Sequence, residues 1–301
     1  LVKEQCKHGL REQMAMALID KDDDKATNLW REITDLDEIE EDVPDEFVGS
    51  DVHELLAVVE SGNRIPFPTA ELRNATRGGG LPGHQVLLFG RPEVGKSLAA
   101  FNFLRKPSHE GFRVGLWENE DPIEVTQLRA AQSFLGATED ELRTHASQAE
   151  SKLKELGWEN CYFKDSPDGT LAQLEAWIEK YRLELVVVNQ FVNLKSTEQE
   201  NRVLELRTLA VGTRAIAKRQ RCVMVLVGQA GETGENRRVL RMGDFEFSNT
   251  VVQAQMDLMI GIGTDEAMPE GYRMWSLPKN KLGGIHDPFM VPTDPWRNRV
   301  K

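Results

Sequence analysis

Three cysteines are spread over 301 residues, and none has a spacing that chemistry would use. Cys6, Cys161 and Cys222 form no C-x-x-C pair, and the six histidines do not cluster. This argues against a disulfide framework or a structural metal and for a reducing, cytoplasmic setting. Long apolar runs are also missing. No stretch approaches the roughly 18 uninterrupted apolar residues of a membrane span, and no signal-peptide pattern opens the chain. The chain starts on Leu1, which reads as a trimmed start.

A basic excess is missing as well, but only on average. The net charge is −12, from 49 acidic and 37 basic residues. Residues 1–60 hold 18 of the acidic and 6 of the basic ones, so the remaining 241 carry 31 of each sign. All net acidity therefore sits at the N-terminal side, and a neutral body can still present a local basic loop to nucleic acid.

What is present has a clear order. The 40% apolar content builds a core, and the length allows one α/β domain of roughly 200–250 residues plus an appendage. Residues 1–35 have helical spacing, DLDEIEEDVPDEFVGSD reads as an acidic linker, and DVHELLAVVESG reads as a short amphipathic helix. This predicts a helical acidic arm over residues 1–62, either a cover for the main domain or a contact between subunits. From residue 63 to 301, strand-like segments QVLLFG, FRVGLWEN, CYFKD, LELVVVN, CVMVLVGQ, DLMIGIG and YRMWSLPKN follow one another. Helical segments such as KSLAAFNFLR and VLELRTLAVGTRAIAKRQ separate most of them. That alternation predicts an α/β fold with a mostly parallel sheet covered by helices on both faces.

Gly90-Arg91-Pro92-Glu93-Val94-Gly95-Lys96-Ser97 fits G-x-x-x-x-G-K-[ST], between a strand and a helix. The glycines let backbone N–H groups converge on phosphate oxygens. Lys96 neutralises the β and γ phosphates, Ser97 offers a hydroxyl to Mg²⁺, and the helix aims its positive end at the same anion. ATP, or another NTP or dNTP, is the expected ligand, with Mg²⁺.

With its lead-in FPTAELRNATRGGGLPGHQVLLFGRPEVGKS, the chain over about residues 65–295 resembles RecA-like P-loop ATPases. Among these it is similar to the DnaB-type replicative helicases and the helicase domains of phage primase–helicases. The resemblance implies a ring, hexameric in such families, of subunits that bind single-stranded DNA in a channel and couple ATP hydrolysis to unwinding. It also implies a bacterial or phage-infected cell, and a primase, polymerase or loader as partner. In GLWENEDPIEVTQLRAAQSF it implies that Glu120 polarises the attacking water; Glu118, two residues earlier on the same strand face, competes for that role. It makes Gln229 the sensor of the γ phosphate, and the following loop, with Arg237, Arg238 and Arg241, the mobile DNA-binding loop. KSTEQENR is the second candidate DNA loop. Lys279 and Lys281, around Asn280, stand where the family has Lys-x-Arg reaching a neighbour's γ phosphate. Lysine brings the charge without the planar fork.

One position departs further. LELVVVN ends in Asn189, where the family keeps an aspartate that holds water on Mg²⁺. Asparagine retains one carbonyl acceptor but no charge, which predicts ATP binding with slowed hydrolysis. Two other readings stand beside the helicase: a filament-forming recombinase or recombination mediator, and a non-enzymatic, nucleotide-gated scaffold.

Overall fold

The computed structural model describes residues 2–19, 29, 53, 64–196, 202–246 and 250–300. The chain divides into two compact units, Leu1–Ser61 and Gly62–Lys301. In the first, helix α1 (Val2–Ile19) groups Leu10, Met14 and Ala17, at helical spacing, with Leu29. The expected acidic linker, and the amphipathic segment apart from His53, lie outside the described residues.

The second unit is built on one nine-stranded sheet. In chain order its elements, with a small leading ribbon, are β1 (Ile65–Pro66), α2 (Ala70–Ala75), β2 (Gly79–Gly80), β3 (Gln85–Gly90), α3 (Lys96–His109) and β4 (Val114–Glu118). There follow α4 (Ile123–Leu135), α5 (Glu139–Thr144), α6 (Ala146–Glu155), β5 (Cys161–Asp165), α7 (Leu171–Tyr181) and β6 (Leu185–Asn189). The last part holds α8 (Arg202–Arg219), β7 (Val223–Gln229), α9 (Thr250–Gln255), β8 (Leu258–Gly263), β9 (Tyr272–Asn280), β10 (Phe289–Asp294) and β11 (Arg299–Val300). The sheet order is β11-β10-β9-β8-β3-β7-β6-β4-β5. Strands β8, β3, β7, β6, β4 and β5 run parallel, whereas β9, β10 and β11 join antiparallel. The sheet is thus mixed: the parallel part is as expected, and a C-terminal antiparallel extension is added to it.

The apolar runs of the parallel strands follow from burial on both faces. Along β6, Leu185 and Val187 enter one core with Leu98, Phe101 and Phe103 of α3 and Phe134 of α4. Val186 and Val188 enter the other, with Leu174 and Ile178 of α7 and Leu206 and Leu209 of α8. Side chains of a strand alternate between faces, so neither set can be exchanged for the other without a register shift. Helix α3 passes through Pro107 to His109. Half-buried Cys161 and buried Cys222 are free, and desolvation pushes each thiol up to about 12, so both are inert packing groups at neutral pH. Among the described residues no helix is long and apolar enough to cross a membrane.

Candidate nucleotide site

In a parallel sheet the C-terminal strand edges open towards ligand. Here Gly90 of β3 pairs with Gln229 of β7, Val227 of β7 with Asn189 of β6, and Asn189 with Glu118 of β4. Four polar or turn positions far apart in sequence therefore line one edge.

The eight residues expected to bind phosphate run from Gly90 at the end of β3, through the loop, to Lys96 and Ser97 in the first turn of α3. Gly90 has no room for a side chain, since an added Cβ would lie 2.6 Å from the Ile262 carbonyl oxygen. Gly95 caps α3 in the left-handed region at φ 98°, where an L side chain is strained. Lys96 is buried, and its Nζ donates to the Arg91 carbonyl at 2.9 Å, a bond that bends it over its own loop. Burial lowers its pKa, and the Glu120 carboxylate opposes that shift. Arg91 donates to the Ala230 carbonyl at 3.1 Å and lies 3.7 Å from Glu235. Arg273 of β9 donates from Nε to the Val94 carbonyl at 3.1 Å. Arg91, Pro92 and Val94 face Gly234, Glu235 and Ile262 across a cleft of about 280 Å³.

Between β4 and β6 the Glu118-Asn119-Glu120 segment is laced to Asn189-Gln190. Asn189 Nδ2 donates to both Glu118 oxygens at 3.1 Å, and Gln190 Nε2 to both Glu120 oxygens at 3.0 and 2.9 Å. Asn119 sits between the pairs, accepting from the Gln190 backbone N–H at 2.6 Å and donating to its carbonyl at 2.9 Å. Glu118 is 1% exposed and Glu120 is exposed, so the two carboxylates that compete for the base role stand in different environments. Burial raises the Glu118 pKa, and hydrogen bonds led by Asn189 pull it back. Glu118 is also held by the backbone N–H groups of Asn119, Glu120 and Asp121 and by the Thr126 hydroxyl. Glu118 is thus buried and tied at both oxygens, whereas Glu120 is exposed and within electrostatic reach of Lys96. Asn119 and Gln190 are site residues that motif matching misses. Their only signal in the sequence is that amide residues adjoin the strand ends.

The loop after Gln229 is less free than its glycines imply. An isolated bridge joins Ala230 to Phe245. Arg237 donates to both oxygens of buried Asp244 at 3.0 Å, and Arg238 to Asp265 at 2.7 and 2.6 Å. Two of the three arginines expected to contact DNA therefore have carboxylate partners, and Arg241 is exposed. In the second candidate DNA loop, residues 197–201 lie outside those described.

Lys279 and Lys281 stand elsewhere. β9 runs antiparallel to β8, and Asn280 pairs with Leu258 at the start of β8. That is the sheet edge opposite the phosphate loop, so within one chain neither lysine serves the loop. Lys279 Nζ donates to the Gln253 and Ala254 carbonyls, closing the end of α9, and Lys281 is exposed.

Two oxygen groups suited to a hard cation stand on this side of the sheet. Ser97 lies in the first turn of α3, and the Asn189 Oδ1 acceptor is buried with no hydrogen-bond partner among the described residues. Among the described residues no group of three or more His, Cys, Asp or Glu could hold a metal alone. A magnesium ion here would depend on nucleotide phosphates and water for most of its ligands.

A family profile described as an AAA domain matches residues 50–235. No curated protein sequence matches the chain. Among solved structures, an ATPase domain aligns with a TM-score of 0.71 at 16% identity, over 84% of this chain and 98% of that one. A DnaB-like replicative helicase, described together with its interactions with primase, aligns with a TM-score of 0.72 at 15% identity. It spans 99% of this chain and 76% of that one. At these identities the likeness shows a shared RecA-like fold.

Proposed function

Because the chain belongs to the AAA-domain family over residues 50–235, we propose that it is an ATP-hydrolysing DNA helicase motor of the DnaB type. It acts as a ring, a hexamer by analogy, with single-stranded DNA in the channel. The observation that carries this reading is the separation of the site into two edges. The phosphate loop, Glu120 and Gln229 share one edge, while Lys279 and Lys281 stand at the other. A complete site then requires a second copy, whose lysines meet this copy's nucleotide, and repetition of that contact builds a ring.

In this reading Lys96 leaves the Arg91 carbonyl to hold the β and γ phosphates, and the loop N–H groups hold the rest. Glu120, clamped by Gln190, takes the proton from the attacking water. Gln229 donates to the γ phosphate and passes its loss through Ala230 and Phe245 to the arginine loop. Ser97, and Asn189 through water, would hold a magnesium ion, which would supply positive charge to the phosphate oxygens. Arg241 meets the DNA backbone first, and Arg237 and Arg238 join by exchanging their carboxylate partners for phosphates. A primase is the proposed partner, by likeness to the DnaB-like helicase, and the cytosol the proposed location.

The test is unwinding of a forked duplex with ATP and Mg²⁺, with particle images of the same sample. Rings and ATP-dependent unwinding are expected. Filaments on DNA without unwinding would favour the recombinase reading, and absence of DNA-stimulated ATP turnover would favour the scaffold.

A further inference from the structure

Asn189 occupies the place of an aspartate, yet a buried carboxylate lies against it. Resting on the nucleotide and magnesium reading above, we propose that Glu118 and Asn189 work as one unit. Glu118 supplies the negative charge, and Asn189 presents it, through Oδ1, to the water shell of the nucleotide-bound magnesium. Asn189 is thus the complement of Glu118 and not a damaged metal contact. Glu118 is a positioning residue acting through Asn189.

Three features carry this. The two residues are paired in register on adjacent strands, are 1% and 3% exposed, and are joined by a two-oxygen contact from Asn189 Nδ2 at 3.1 Å. Among the described residues, every other hydrogen bond to Glu118 also comes from a neutral donor: three backbone N–H groups and the Thr126 hydroxyl. No cation among them cancels its charge, which stays available to the site. The contact also decides which way the amide faces. Turning it over would set its oxygen against two carboxylate oxygens. Nδ2 therefore stays on Glu118, and Oδ1 stays on the far side, buried and without a partner among the described residues. An N–H donated to a carboxylate shifts electron density towards the amide oxygen and makes it a stronger acceptor, because hydrogen bonds in series polarise one another. Water held on a cation offers only protons outward, so a strengthened acceptor is the group it needs.

The pairing also explains why aspartate is absent. With Glu118 in place, an aspartate at 189 would put two carboxylates in contact in a buried position, where like charges oppose joint ionisation. One of the pair has to be an amide. Here the charge sits on β4 and the amide on β6.

The experiment uses the full chain and compares wild type, Glu118→Gln, Asn189→Asp and the double variant carrying both. The readouts are affinity for ADP and for a non-hydrolysable ATP analogue, each with and without Mg²⁺, and the melting temperature of each protein. Glu118→Gln should lose about tenfold of the tightening that Mg²⁺ gives, with metal-free affinity unchanged. Asn189→Asp should gain no tightening and should melt at a lower temperature. The double variant, which restores one amide and one carboxylate, should recover both the tightening and the melting temperature. A purely packing role for Glu118 would not make the Mg²⁺ effect recover in the double variant, and that result overturns the proposal. It is equally overturned if Asn189→Asp alone strengthens the Mg²⁺ effect while Glu118→Gln leaves it intact. A wild-type chain that binds neither nucleotide under any condition would sink the nucleotide reading itself, and this inference with it.

Discussion

Two charged neighbourhoods adjoin the phosphate loop, and they treat charge in opposite ways. At the β4–β6 edge, Glu118 and Glu120 are held by the neutral amides of Asn189 and Gln190, so position is fixed and charge is kept. In the loop after Gln229, Arg237 and Arg238 are held by Asp244 and Asp265, so position is fixed and charge is cancelled. A count of charged residues would rate the two alike. Their partners decide that the first keeps its charge and that the second is neutralised by its carboxylates.

The sharpest way to break the first half of this contrast is Glu120→Gln, which keeps the shape and removes the charge. Turnover should fall by about 10²–10⁴-fold with nucleotide affinity retained, measured by steady-state hydrolysis beside equilibrium binding. Gln190→Ala instead keeps the charge and removes the clamp. With Glu120 as the proposed base, it should lower kcat by about tenfold with little change in KM, because that carboxylate is present but poorly aimed. On the other side, Asp265→Asn should release Arg238. Single-strand affinity should rise a few-fold at low salt, and the slope of log K against log salt should steepen by about one. If affinity is unchanged, the ion pair is not holding back a DNA contact.

The smallest effect tests whether the far end of β3 is electrically separate from this edge. His84 is half-buried and accepts the Leu81 N–H through Nδ1 at 3.0 Å. Burial lowers its pKa below the ordinary histidine value of 6.5, with the nearby Asp257 charge opposing. A depressed pKa means stability present above that ordinary value and lost as pH falls through the lowered one. Melting temperature should therefore drop as pH falls below the ordinary histidine value, His84→Gln should flatten that drop, and nucleotide affinity should not respond to the substitution.

The parallel core is legible in the sequence because its signals are local. QVLLFG, LELVVVN and CVMVLVGQ are apolar on both faces, and helical segments of the right length stand between them. The helices after Thr138 and the strands β10 and β11 are far less so. Glu139–Thr144 and Ala146–Glu155 have no buried residues, and β10 is apolar at only part of its length, so little apolar content marks them in the sequence. The one local signal there is Thr138, which forms a capping box with Glu141.

The site divides along the same line. The linear order of residues is enough to specify the phosphate loop, because eight consecutive positions contain its whole geometry. It also brings out Gln229 and the odd Asn189 at strand ends and Glu120 just beyond one, since a strand end in such a sheet is a place beside the ligand. What each charge does there comes from the fold alone. Seventy-one residues separate Asn189 from Glu118, and the strand register closes that gap to 3.1 Å. Whether a carboxylate acts as base or as anchored charge, and whether an arginine is active or cancelled, depends on such partners. Hydrogen-bond and Coulomb energies fall steeply with distance in space and not with distance along the chain.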